Sequence, residues 1–129
     1  MSTRVIWFQS STFPILPEEQ EEVNPHIHGK SLAVWMGEKL RAAGFKTGEP
    51  FKEDFGWWTD VEAEPPHQLA FVCCGEEPNQ WGVFATAQGG TIWDRVRGKE
   101  DPEVAAAPLH AALRKILEAE STIHSIEEE

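Results

Sequence analysis

The stretch Pro50-Phe51-Lys52-Glu53-Asp54-Phe55-Gly56-Trp57-Trp58 sets acid and base groups among large aromatic rings. Aromatic walls with one or two carboxylates suit a cationic or amine-bearing ligand, because the ring faces and the carboxylates both attract positive charge. The same residues suit a docking edge if Trp58 stays partly exposed. They also suit a purely structural corner, in which Gly56 permits a bend and Glu53 or Asp54 accepts from an indole N–H. Glu53, Asp54, Trp57 and Trp58 are therefore the candidate ligand- or partner-binding residues.

Other constellations are weaker. Asn24-Pro25-His26-Ile27-His28-Gly29-Lys30-Ser31 ends as a phosphate-binding loop does, with Gly-Lys-Ser before a helix. Asn24, however, stands where the first glycine belongs, Pro25 lies inside, and Glu-rich residues precede it in place of a strand. An ordinary helix start explains it. Asp54-Phe55-Gly56 spells a kinase tripeptide without the other kinase motifs. His26 and His28 with His67 or Cys73 lack any metal-site spacing, so no metal or cofactor is expected. Cys73 and Cys74 are adjacent, which disfavours a disulfide between them, and they lie in an apolar run where a thiol is a poor nucleophile. No Gly-x-Ser-x-Gly elbow is present. No catalytic residue is assigned, and an enzyme is the less favoured reading. Arg95, Arg97 and Lys99 form the one compact basic cluster, read as an ion-pair partner for acidic segments.

The elements that must position these groups follow from periodicity. Val5 to Phe8 is a short apolar run and reads as a buried strand. Residues 10–28 read as a long acidic loop broken by Pro14, Pro17 and Pro25. Leu32, Trp35, Met36, Leu40 and Ala43 recur at spacings of three and four, predicting a helix over 30–43 capped by Gly44, with Phe45 as its hydrophobic contact. Residues 47–56 read as connection. From 57 to 63 polarity alternates: Trp57, Thr59, Val61 and Ala63 share one face, Trp58, Asp60 and Glu62 the other. Leu69–Cys74 and Trp81–Ala87 form a hairpin about the turn-rich 76–79. Residues 91–97 are a candidate extra strand. The last helix is expected from 108, since Pro108 disfavours a helix interior, to 119, with Leu109, Ala112, Leu113, Ile116 and Leu117 inward. Residues 122–126 are either a closing strand or a fraying helix end.

The sum is an α+β fold: a single-layer, mostly antiparallel sheet with two helices packed on one face, in the order β-α-β-β-β-(β)-α, as one domain over 1–129. The stretch Glu53-Asp54-Phe55-Gly56-Trp57, placed between the Gly44-capped helix and a β-hairpin, resembles a motif of small uncharacterised bacterial proteins. Those carry Glu-Asp-Trp-Gly-Trp at this place; here Phe55 stands for the Trp. The likeness covers the middle half of the chain. It implies a small bacterial α+β domain and brings no activity, cofactor or catalytic residue with it.

Charge narrows the function. The 129 residues carry 22 acidic and 11 basic side chains, a net charge of −11, which disfavours nucleic acid because phosphate binding needs a basic face. No apolar run approaches a membrane span and no signal peptide is visible, so a cytoplasmic protein with reduced thiols is expected. The expected function is protein binding or regulation: an acidic, immunity-like module contacting a basic partner. The alternative is a small-molecule or enzymatic site at the Glu53–Trp58 corner.

Overall fold

The computed structural model describes residues 5–13, 29–53, 56–62, 67–77, 79–89 and 102–128, of which 67, 76, 77, 88, 89 and 102–105 are described by backbone alone. Among them the order is β1 (Ile6–Gln9), α1 (Lys30–Ala42), β2 (Phe51–Glu53), β3 (Gly56–Val61), β4 (His67–Glu77), β5 (Gln80–Gly89), α2 (Pro102–Ala119) and β6 (His124–Glu128). The strands form one antiparallel sheet ordered β2-β3-β4-β5-β1-β6. The expected α+β architecture is present.

Strand alternation divides the sheet. The pairs Trp57↔Cys73, Cys73↔Val83 and Val83↔Ile6 put these four residues on one side. Phe71, Trp81 and Phe8 join them in a single core with Leu32, Met36 and Leu40 of α1 and Leu109, Leu113 and Leu117 of α2. Both helices therefore cover the same side. The stripes read from spacing are the buried ones, with Ala112, Ile116 and Trp35 partly buried against that core. Ala43 is the exception: it is the C-cap of α1 and is exposed.

The end of α1 follows its sequence closely. Gly44 adopts φ +101°. Its N–H donates to Arg41 O at 3.1 Å, and Phe45 N–H donates to Leu40 O at 3.0 Å. That paired pattern is a Schellman cap. It needs a left-handed residue after the helix, which glycine adopts without a Cβ penalty. Phe45 packs against the core as the accompanying contact.

Three expectations change. First, residues 47–56 are not merely connection. Phe51–Glu53 pairs with β3, and Thr47 forms a bridge with Val61. A three-residue edge strand is too short to show alternation, so only its long-range partner defines it. Second, α2 begins at Pro102 and runs through Pro108. Pro102 takes the first helical position, where a missing N–H costs nothing. Pro108 is exposed, so water can serve the carbonyl of residue 104 that the ring leaves without a donor. Third, Glu76 and Glu77 belong to β4 and β5 begins at Gln80, just after Asn79 at φ 68°. Of the two readings of 122–126, the strand is the one present, shifted to His124–Glu128 with Thr122 in the preceding turn. The acidic loop, apart from residues 10–13, and the extra strand over 91–97 lie outside the described residues. No helix among the described residues is long and apolar enough to cross a membrane.

Candidate functional site

The aromatic and acidic corner is the β2–β3 hairpin, with Phe51 paired to Trp58, Lys52 to Trp57 and Glu53 to Gly56. The alternation of both strands sends Lys52 and Trp57 toward the helices. It sends Phe51, Glu53 and Trp58 to the opposite side. Gly56 is required by its backbone, at φ +154°, and by space, because a Cβ there would come within 2.6 Å of the Cys73 carbonyl oxygen. The glycine bend read from the sequence thus presses the hairpin against β4.

The four candidate residues separate. Trp57 is 5% exposed and belongs to the core. Lys30 Nζ, at the start of α1, lies 5.4 Å from its ring centroid and Lys52 Nζ lies 5.6 Å away. Two of the chain's own ammonium groups thus already use the ring's attraction for cations. The Trp57 indole N–H is buried and finds no hydrogen-bond partner among the described residues. Trp58 is half-buried on the outer side, and its Nε1 donates to Asp60 Oδ1 at 2.9 Å. The carboxylate serving an indole is therefore Asp60, two residues along the same strand face, and not Glu53. Glu53 is half-buried on that outer side. Asp54 lies outside the described residues.

Sequence reasoning missed Phe51, which is 43% exposed beside Trp58. Reading 51–53 as a strand would have put it on the outer face by alternation. Asp60 had been placed on the Trp58 face by period two, yet not as its hydrogen-bond partner. The outer face continues beyond the corner. Trp58 pairs with Val72 and Val72 with Phe84, while Cys74 pairs with Gly82 and Gly82 with Trp7. The Trp7 ring lies so near Gly82 that a Cβ there would meet it at 2.7 Å.

The remaining candidates resolve as follows. Cys73 is fully buried on the helix side, and burial, followed by the neighbouring Cys74, pushes its thiol well above the ordinary range. Such a thiol is a poor nucleophile. Cys74 points to the outer face and is half-buried, and neither cysteine is in a disulfide. His26, His28, Arg95, Arg97 and Lys99, and the side chain of His67, lie outside the described residues. Among the described residues no group of three His, Cys, Asp or Glu side chains could hold a metal. A polar cluster not foreseen from sequence ties β6 to α2: Glu128 contacts His110 Nε2 and accepts from Arg114 Nη1 at 3.0 Å, and Arg114 Nε lies 3.3 Å from Glu118.

No protein-family model matches the chain, and neither the curated proteins nor the solved structures contain a match to it.

Proposed function

We propose that the chain is a protein-binding module, regulatory and immunity-like in kind, that holds a basic partner in the cytoplasm. The observation that carries this reading is the outward cluster of Phe51, Trp58 and Asp60: two aromatic rings side by side with solvent access, and a carboxylate fixed to one of them. Aromatic residues anchor interfaces because they bury large areas at little entropic cost, and an adjacent carboxylate pairs with Lys or Arg. The net charge of −11 would steer a cationic partner toward the molecule from a distance.

The small-molecule alternative has less support at its original place. Trp57 is core, and Lys30 and Lys52 lie over it, so the inner side of the corner repels a cationic ligand. The test is capture from host lysate on the immobilised chain, washed at low and then moderate salt, beside a Trp58→Ala column. A stoichiometric basic protein that elutes as salt rises and is lost on the variant supports the reading. Retention that is indifferent to both salt and Trp58 overturns it.

A further inference from the structure

We infer that the inner side of the β2–β3 hairpin, where it meets the start of α1, is a binding site for a phosphate group, free or carried by a small molecule, with Lys30, Lys52 and the Trp57 indole N–H as its donors. The site lies on the other side of β3 from Phe51, Trp58 and Asp60, so it stands or falls apart from the partner reading. Two elements distant in the chain bring cations to one ring. Lys30, the first residue of α1, places Nζ 5.4 Å from the Trp57 ring centroid, and Lys52 of β2 places Nζ 5.6 Å from it. Like charges brought together repel. In a chain of net charge −11, composition does not explain such a gathering, and an anion between the two groups does.

The helix adds to the positive potential. Its first turn, Lys30-Ser31-Leu32-Ala33, holds no acidic residue, and its N-cap is Gly29, which has no capping side chain. The positive end of a helix dipole favours an anion and disfavours a cation such as Lys30. A Cβ at Gly29 would come within 2.6 Å of the Cys73 carbonyl oxygen, and Cys73 is paired with Trp57. The helix start is thus pressed against the strand pair that carries the ring. The independent sign of a ligand is the indole itself: Trp57 is 5% exposed, and its N–H is buried without a hydrogen-bond partner. A buried donor left unmatched in a folded protein marks the place of an ion or a water. Lys30 and Lys52 make further interactions besides these ring contacts; with three N–H donors each, the ammonium groups serve an oxyanion alongside another acceptor. Both lysines are half-buried, so an anion meets them first and reaches the indole as a lysine stem swings aside. A phosphate presents oxygens in several directions and carries up to two charges, which suits donors converging from a helix start, a strand and a ring.

The experiment follows the indole N–H resonances of the isotope-labelled chain by NMR during titration with sodium phosphate, and separately with phenyl phosphate. Sodium chloride holds the ionic strength constant, and a chloride-only titration is the control. Trp57→Phe, which keeps a ring in the core, assigns the resonance. The Trp57 indole signal should shift saturably with phosphate while that of Trp58 stays in place. Lys30→Gln and Lys52→Gln should each weaken the affinity about tenfold, as loss of a charge-assisted hydrogen bond does, and Lys52→Arg should retain it. Tighter binding of phenyl phosphate than of inorganic phosphate names an ester as the occupant, and the reverse names the free ion; both sustain the site. No shift with either probe at millimolar concentration overturns it, and means that the chain's own groups or a water hold the place. An equal shift with chloride alone reduces the response to ionic strength and overturns it without recourse to any variant. Affinity unchanged in both glutamine variants overturns it as well.

Discussion

Trp57 turns inward, where 5% of its surface reaches solvent, and Trp58, one residue on, turns outward and stays half-buried. The inward indole is surrounded by core and meets two lysines, yet its N–H makes no hydrogen bond among the described residues. The outward indole donates to Asp60. The inner side of β3 is thus built for area, and it tolerates unpaired polar atoms: the Thr59 hydroxyl is also buried there without a partner. On the outer side of β3 the Trp58 indole is matched by Asp60, although the Trp7 indole N–H, on the same face at β1, is buried with no hydrogen-bond partner among the described residues. A buried polar atom left unpaired costs free energy, so the inner side holds together because its apolar burial outweighs that cost.

This comparison can be broken by substitution, beginning with its strongest consequence. Trp57→Ala should destabilise the fold by about 3–5 kcal/mol, as large-to-small core changes do. Trp58→Ala should cost no more than about 2 kcal/mol, because it exposes less apolar area. Urea denaturation of both variants measures the difference, and equal losses would abolish the inner–outer distinction.

A second consequence concerns pH. Burial holds the proton on Cys73 in the folded state, whereas the unfolded thiol ionises at about 8.5. The folded thiol therefore has the higher pKa. Its contribution is fully present below the unfolded value and is lost progressively as pH rises above it. Denaturation midpoints should fall over that alkaline range, and Cys73→Ala, although less stable at neutral pH, should show a smaller fall.

Thr59→Val should sharpen the comparison with a gain of about 1 kcal/mol, since it replaces an unpaired buried hydroxyl by a methyl group of similar size. A loss in the thermal midpoint would mean that the hydroxyl is satisfied. The smallest effect is expected at the outer hydrogen bond. Asp60→Asn keeps an acceptor for the Trp58 N–H at an exposed position, so stability should change by less than about 0.5 kcal/mol, while affinity for a basic partner should drop. A stability loss matching that of Trp57→Ala would make Asp60 structural.

Much of this was legible in the chain. Leu32, Met36 and Leu40 announce α1 by their spacing, and Gly44 with Phe45 announces its cap, because helix geometry and capping act over a few residues. The alternation after Gly56 separates Trp57 from Trp58 without any knowledge of the sheet. The hairpin of β4 and β5 is marked by two apolar runs about a short turn. By contrast, β2 was not legible: three residues carry no periodicity, and only pairing with β3 makes them a strand. Pro108 misled because its cost depends on which side of the helix meets water.

At the candidate site the sequence supplied the residue types and their division between two faces. Which face would be covered was a different matter. Both helices could be amphipathic and still pack on either side of the sheet; the tertiary structure put them together on the Trp57 side. It also brought Lys30 and Lys52 to one ring, Phe51 beside Trp58, and Glu128 to His110 and Arg114. Local periodicity determines which way each side chain points along its own strand or helix. Strand order and register determine what it then meets, and these arise from contacts between residues far apart in the chain.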